Sequence, residues 1–75
     1  MAELPRAGIR RLMESAGAKR MSQDAVITLR DLTEQFTEKL SRIATEMATH
    51  DDRKTVKKSD VHKAASIMKK GSGFF

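Results

Sequence analysis

Paired basic residues are the most prominent chemical feature of the sequence, and they occur at three places. The pairs are Arg10-Arg11, Lys19-Arg20 and Arg53-Lys54. Cations held at chain turns, beside helix N-termini whose backbone N–H groups add to the positive field, suit phosphate groups. The alternative, charge that only keeps a small domain soluble, is the better interpretation for Glu38 and Arg42, which form an i,i+4 pair. The three basic pairs therefore predict phosphate binding.

A second group of polar residues could in principle hold a metal ion. Its members are His50, Asp51, Asp52, Asp60 and His62. They show no recognised ligand spacing, so a helix-end histidine among solvated loop acids is the better interpretation. No nucleophile–base set, phosphate loop or carboxylate pair is visible. We expect no metal, no cofactor, no small-molecule substrate and no enzymatic activity.

Length and composition indicate one small domain that needs help to be stable. The 75 residues include 15 Lys and Arg against 10 Asp and Glu, a net charge of +5, and only 4 % are aromatic. Below roughly 70–80 residues a single core rarely supplies more than 3–5 kcal/mol, so small domains usually add a disulfide, a metal or a partner. Since the chain has no Cys, a partner is the expected source of extra stability.

The sequence also predicts where the protein resides. No apolar run approaches the roughly 18 residues of a membrane span, and the first residues lack the features of a signal peptide. We expect an intracellular, cytoplasmic protein whose positive charge makes nucleic acid the first partner to consider. A membrane surface is the weakest alternative. Basic helices that bind membranes carry their charge along one face, whereas the charge of this chain lies at the helix junctions.

The spacing of apolar residues predicts three helices and no sheet. The first begins at about Pro5, which suits a first helical position, and Gly17 ends it. The second opens after Ser22 as N-cap and continues without a breaker to about residue 49. The third, capped by Ser59 or a residue just before it, ends near residue 70.

The second helix carries an apolar seam that the rest of the chain cannot cover. The seam consists of Ala25, Leu29, Leu32, Phe36, Leu40, Ile43 and Met47. A helix of about 28 residues is about 42 Å long, whereas the first and third helices are each predicted at about 15 Å. The sequence therefore predicts a second chain lying against the seam.

Several strings resemble an archaeal histone. They are Glu3-Leu4-Pro5, Ala16-Gly17-Ala18-Lys19-Arg20-Met21-Ser22, and Arg53-Lys54-Thr55-Val56 followed by Asp60-Val61. Together, around a long uninterrupted helix, they are specific, and the resemblance runs from about Glu3 to Lys70. It implies an all-α histone fold (short helix, long central helix, short helix) in an intertwined head-to-tail dimer. Residues 1–70 are then the histone-fold domain, and 71–75 a short flexible C-terminal tail.

The resemblance also implies a function and the residues that perform it. The homodimer binds the minor groove and phosphates of double-stranded DNA, wraps it largely without sequence specificity, and compacts the chromosome in the nucleoid. The implied DNA-binding residues are Arg10, Arg11, Lys19, Arg20, Arg53, Lys54, Thr55 and Lys57. Arg20 enters the minor groove braced by Thr55 of the partner chain. Such contacts follow DNA deformability rather than base sequence.

The same resemblance implies how dimers assemble further. Met47, His50 and Asp60 form a dimer–dimer interface in which His50 reaches Asp60 of the neighbouring dimer, while Arg53 and Asp60 form a structural salt bridge within one chain. Dimers then polymerise along DNA into nucleosome-like or hypernucleosome particles, and paralogous histones are a further class of partner. Because His titrates near neutrality, the contact between dimers is open to pH control.

The sequence departs from the family pattern at two places that bear on DNA binding, and two alternative interpretations of its function are considered. Asp51-Asp52 stand where the family has a small residue and glycine, and Lys19 where an acidic residue is common. Asp tolerates the left-handed conformation of a helix end, but added carboxylates weaken phosphate affinity. The main alternative is a histone-fold component of a transcription or chromatin complex, acting as a heterodimer. A helix-turn-helix regulator is disfavoured by the unbroken long helix.

Overall fold

Three helices make up the part of the chain that the computed structural model describes, residues 3–72. The helices are α1 (Arg6–Ser15), α2 (Gln23–His50) and α3 (Lys58–Ser72). Within residues 3–72 there is no strand. The predicted all-α class and the order short, long, short are confirmed. None of these helices is long and apolar enough to cross a membrane.

The N-terminal ends of α2 and α3 are both capped by side chains. Oγ of Ser22 accepts a hydrogen bond from the N–H of Ala25 at 3.1 Å, which confirms the predicted N-cap. At α3 the helix begins one residue before Ser59, and the cap comes from inside the helix, where Oδ2 of Asp60 accepts the N–H of Lys57 at 2.8 Å. Asp60 at the third helical position thus performs the capping that was predicted for Ser59 or a residue just before it.

The C-terminal ends of α1 and α2 have the same backbone geometry. Gly17 has φ 104°, and Asp52 has φ 57°. At each end the left-handed residue donates to the carbonyl three residues back, and the following N–H, of Ala18 or Arg53, donates to the carbonyl five residues back. This is the Schellman arrangement, which usually takes glycine at the left-handed position. Gly17 ends α1 as predicted, and at the end of α2 the left-handed position is occupied by Asp52, a residue type that tolerates this conformation.

Two element boundaries differ from the predictions. Pro5 lies at the N-cap of α1 in an extended conformation rather than at its first helical position. Helix α3 has 15 residues and is therefore about 22 Å long, not about 15 Å. It continues through Gly71 and Ser72, two residues beyond the predicted end, whereas residues 73–75 of the predicted tail lie outside the described residues.

The buried core is small. The chain divides into two compact units, 1–35 and 36–75, and α2 contributes to both. Among residues 3–71 the buried apolar side chains are Ile9 and Val26 in the first unit, and Ala44, Ala48, Ala64 and Met68 in the second. Three of these six are alanines, so each unit buries little apolar surface, as expected for a chain of this size.

The rest of the chain covers the apolar seam of α2 only in part. Leu29 is 39 % exposed and Leu32 is 42 % exposed. The remaining seam residues, Ala25, Phe36, Leu40, Ile43 and Met47, are half-buried. The residues of α2 that are fully buried, such as Val26 and Ala44, lie outside the seam. A single chain thus leaves this apolar face of its longest helix partly exposed, most of all at Leu29 and Leu32.

Candidate nucleic-acid interface

The loop between α2 and α3 (residues 51–57, the α2–α3 loop) is organised by one arginine. Nη1 of Arg53 donates to Oδ2 of Asp60 at 2.9 Å, and Nη2 donates to Oδ1 at 2.8 Å. The same guanidinium donates to the carbonyl of Thr55 at 3.0 Å and to Oδ2 of Asp51 at 3.2 Å. A two-pronged pairing of this kind fixes both partners in one orientation. Arg53 therefore joins the first residue of the loop, Asp51, and the backbone of Thr55 to Asp60 at the start of α3.

Asp60 is the buried centre of this arrangement, since only 1 % of its surface is exposed. The Arg53 side chain, together with the N–H of Lys57, lowers the pKa of Asp60 to about 2. The same contact with Asp60, and a weaker one with Asp51, raises the pKa of Arg53. Three hydrogen bonds from N–H donors favour the charged form of this buried carboxylate. The α2–α3 loop consequently takes its conformation from an ionised Asp60.

The other cations of this loop are free to meet a ligand. Lys54, Thr55 and Lys57 are exposed, and Lys54 lines a shallow depression together with Thr45, Ala48, Thr49, Asp52 and Arg53. Within residues 3–72, neither Lys54 nor Lys57 forms an ion pair. The loop therefore presents ammonium groups on a backbone that Arg53 holds in place.

The first unit presents a second set of cations. Arg10 and Arg11 lie on α1, and Lys19 and Arg20 lie in the loop between α1 and α2 (residues 16–22, the α1–α2 loop). All four side chains are exposed, and none is paired with an acidic group of the described chain. By contrast Arg42 is bound to Glu38 at 2.7 Å, which confirms that pair as predicted. The unpaired cations thus sit at the predicted places.

The two acidic residues that precede Arg53 have separate roles. Asp51 contacts Arg53 and lies 3.9 Å from Nδ1 of His50, so its charge is directed toward cations of the same chain. Asp52 supplies the left-handed backbone at the end of α2 and lines the depression next to Lys54. Of the two, Asp52 is therefore the carboxylate placed to weaken an interaction between Lys54 and phosphate.

The predicted dimer–dimer residues occupy the same end of the second unit. Met47 is half-buried, and His50 is exposed on the last turn of α2 with Asp51 as its neighbour. Asp60 accepts hydrogen bonds from Arg53 and from the N–H of Lys57. A carboxylate offers about four acceptor positions, so one remains after these three bonds. No group of three or more His, Asp or Glu able to hold a metal occurs in the described chain.

Glu34 is a structurally important residue that the sequence analysis missed. Its Oε2 accepts the N–H groups of Glu3 and of Leu4, the latter at 2.6 Å. These bonds, with that from Leu4 the largest influence, lower the pKa of Glu34. They attach the segment before α1 to the middle of α2. The contact joins residues about 30 positions apart in the sequence, and neither helical periodicity nor charge clustering marks Glu34.

The chain is similar in sequence to a described family and to known archaeal proteins. Residues 2–65 match the model of a family described as "histone-like transcription factor (CBF/NF-Y) and archaeal histone". The chain is 48 % identical over 64 residues to one of the subunits of archaeal histone HAN1 from Thermococcus zilligii, covering 85 % of this chain and 96 % of that protein. It is 39 % identical, with the same coverage, to probable archaeal histone 3 of Methanocaldococcus jannaschii.

Proposed function

The chain belongs to the family of histone-like transcription factors and archaeal histones, and on that basis we propose that it acts as a homodimer that wraps double-stranded DNA. In this proposal binding is largely independent of base sequence, and the protein compacts the chromosome in the nucleoid. It binds and bends DNA without catalysing a reaction. A sequence-tolerant mode fits cations that reach phosphates and the minor groove rather than base edges.

The observation that carries the proposal is the open apolar seam of α2. Leu29 and Leu32 remain exposed on the longest helix, while only six apolar side chains are buried among the described residues. Covering this seam removes apolar surface from water, which stabilises the folded state by about 25 cal/mol for each Å² buried. A second copy of α2, crossing the first head-to-tail, supplies a matching apolar face along its whole length. Pairing of two chains therefore supplies the core that one chain lacks.

The DNA contacts follow from the exposed cations. We propose that Arg10, Arg11, Lys19 and Arg20 of the first unit and Lys54 and Lys57 of the second bind phosphates, with Arg20 entering the minor groove against Thr55 of the partner chain. Arg53 contributes mainly by holding the loop, since its guanidinium is bound to Asp60 and Asp51. Contacts with the phosphate backbone of DNA give an affinity that falls steeply as the salt concentration rises.

We further propose that dimers associate side by side on DNA through Met47, His50 and Asp60. The one remaining acceptor position, on Oδ1 of Asp60, suits an N–H of a histidine from the next dimer, which has to reach a carboxylate that is only 1 % exposed in the single chain. His50, exposed at the end of α2, is the residue placed to supply it. Such contacts allow nucleosome-like particles to extend along a duplex.

A second candidate function is that of a chain which pairs with a different histone-fold chain. One relative is named as one of the subunits of a histone, and the matched family includes transcription factors. In this candidate the α2 seam is covered by another histone-fold chain in a transcription or chromatin complex. The two candidates differ in one property, the ability of the chain to form a stable dimer alone.

Two measurements on the full chain separate these candidates. Sedimentation in the absence of DNA gives the oligomeric state, and titration of two unrelated duplexes of equal length gives the affinity at several salt concentrations. A homodimer with similar affinity for both duplexes supports the proposed function. A chain that stays monomeric or unfolded favours the second candidate, and a strong preference for one duplex contradicts sequence-tolerant wrapping.

A further inference from the structure

Lys63 lies next to the surface proposed for contact between dimers. It is exposed on α3 one helical turn after Asp60, and its positive charge acts on the Asp60 carboxylate. That carboxylate already pairs with Arg53 through both oxygens. Within residues 3–72, Lys63 forms no salt bridge of its own. The surface thus carries a positive charge that its own chain does not neutralise.

The neighbouring side chains give this surface both attraction and repulsion. Ile67 follows Lys63 by four positions on α3 and is 47 % exposed, and residues four apart on a helix lie side by side. His50, exposed at the end of α2, adds a hydrogen-bond donor to this surface but no negative charge. Apolar Ile67 favours burial against another surface, whereas Lys63 favours only a surface that brings an acidic group.

Association of identical dimers through this surface brings two Lys63 side chains into one interface. A contact between two copies of the same patch is symmetric, so the interface contains every residue of the patch twice. Like charges placed opposite one another in an interface cost free energy and select against that partner. Asp60 cannot compensate on either side, because Arg53 already neutralises it.

We propose that Lys63 limits the association of identical dimers, so that this protein covers DNA as single dimers or short arrays. The partner that fits the surface best is a histone dimer with an acidic side chain facing Lys63. This inference rests on the proposed function, because it requires both the homodimer and the contact at Met47, His50 and Asp60. Lys63 thereby determines the length of the array and the partner that extends it.

The experiment compares Lys63→Gln with Lys69→Gln, a matched control on a different face of α3. Both variants and the unchanged protein are first checked for dimer formation and duplex affinity, and then tested by nuclease digestion of a long duplex. Each added dimer is expected to lengthen the protected fragment by a fixed step. We expect Lys63→Gln to give fragments at least two such steps longer than the longest fragment of the unchanged protein. Without DNA, it should strengthen dimer–dimer association by about tenfold or more. Lys69→Gln should match the unchanged protein in both assays.

Charge complementarity is tested by a mixture. Preformed Lys63→Glu dimers mixed with unchanged dimers should associate more tightly than either preparation alone, and added salt should weaken that mixed association. If Lys63→Gln dimerises and binds DNA but gives the same ladder as the unchanged protein, the inference is wrong while the proposed function stands. If the unchanged protein neither dimerises nor protects DNA, the proposed function fails and this inference fails with it.

Discussion

Arg53 and Asp60 are joined by two parallel hydrogen bonds of 2.8 and 2.9 Å that span the α2–α3 loop. The same Asp60 caps α3 through the N–H of Lys57. One carboxylate therefore fixes both the start of a helix and the backbone that carries Lys54 and Thr55. Any change that removes its charge is expected to affect the stability of the fold and the placement of the basic loop together.

Asp60→Asn should lower the melting temperature by roughly 10 °C, because the neutral amide leaves the Arg53 guanidinium without its buried partner. Asp31→Asn is the matched control, since Asp31 is exposed and, within residues 3–72, its ion pair is with the adjacent Arg30 on the surface of α2. Thermal unfolding followed by circular dichroism measures both. Equal melting temperatures for the two variants would show that the ion pair does not hold the fold.

Acid should unfold the protein in a pH range set by Asp60. Its pKa is about 2 in the fold against an ordinary 3.8, so folding favours the charged form. The stabilisation is fully present above pH 3.8 and is lost as pH falls toward 2. Melting temperature measured across this range should fall more steeply for the unchanged protein than for Asp60→Asn. Some slope should persist in the variant, because the pKa of Glu34 is also lowered.

Local signals predicted the helix ends well and the long-range contacts poorly. Gly17, Ser22 and Asp52 act where their backbone preferences indicate, because capping depends on neighbouring residues. The continuation of α3 through Gly71 was missed because glycine usually ends a helix. The Glu34 contact with Leu4 depends on tertiary packing, which helical periodicity does not predict. The roles assigned to His50 and Arg20 concern a second chain or DNA, and they stay predictions.

Arg20→Ala and Lys54→Ala should each weaken binding to every duplex by a similar factor. Each should also reduce the slope of log affinity against log salt by about one, the value for one lost phosphate contact. Arg42→Ala is the control, because that arginine is paired with Glu38 on the surface of α2 and should leave affinity unchanged. Titrations of two unrelated duplexes at several salt concentrations provide the data. Loss of affinity for one sequence only would contradict the assigned roles.

Asp52→Gly and Asp52→Val should have opposite effects. With φ 57° at this position, glycine adopts the backbone without strain, whereas a β-branched residue is strained by about 1–2 kcal/mol. Asp52→Gly also removes the carboxylate beside Lys54 and should raise DNA affinity. Denaturant unfolding and duplex titration test the two effects separately. A glycine variant that binds DNA no better would show that Asp52 does not face the phosphates.

Leu32→Glu should prevent stable pairing of the chains, because it places a charge in the middle of the open seam. Sedimentation should find no dimer, and the melting temperature should fall far below that of the unchanged protein. Ser41→Glu adds the same side chain to an exposed position on the other side of α2 and should leave the dimer intact. A dimeric Leu32→Glu protein would move the pairing surface away from the seam.

Only six apolar side chains are buried in the part of the single chain that the structure describes, and so small a core affects which chains pair with each other. If neither chain holds a stable shape before it meets the other, then exchange of chains between finished pairs must pass through the unfolded state, and it becomes as slow as unfolding itself. Two related histones mixed after folding should keep their original partners for a long time. Hybrids should form readily only when both chains are made, or refolded, in the same place. The mixture of pairs on a chromosome would then reflect which chains were synthesised together.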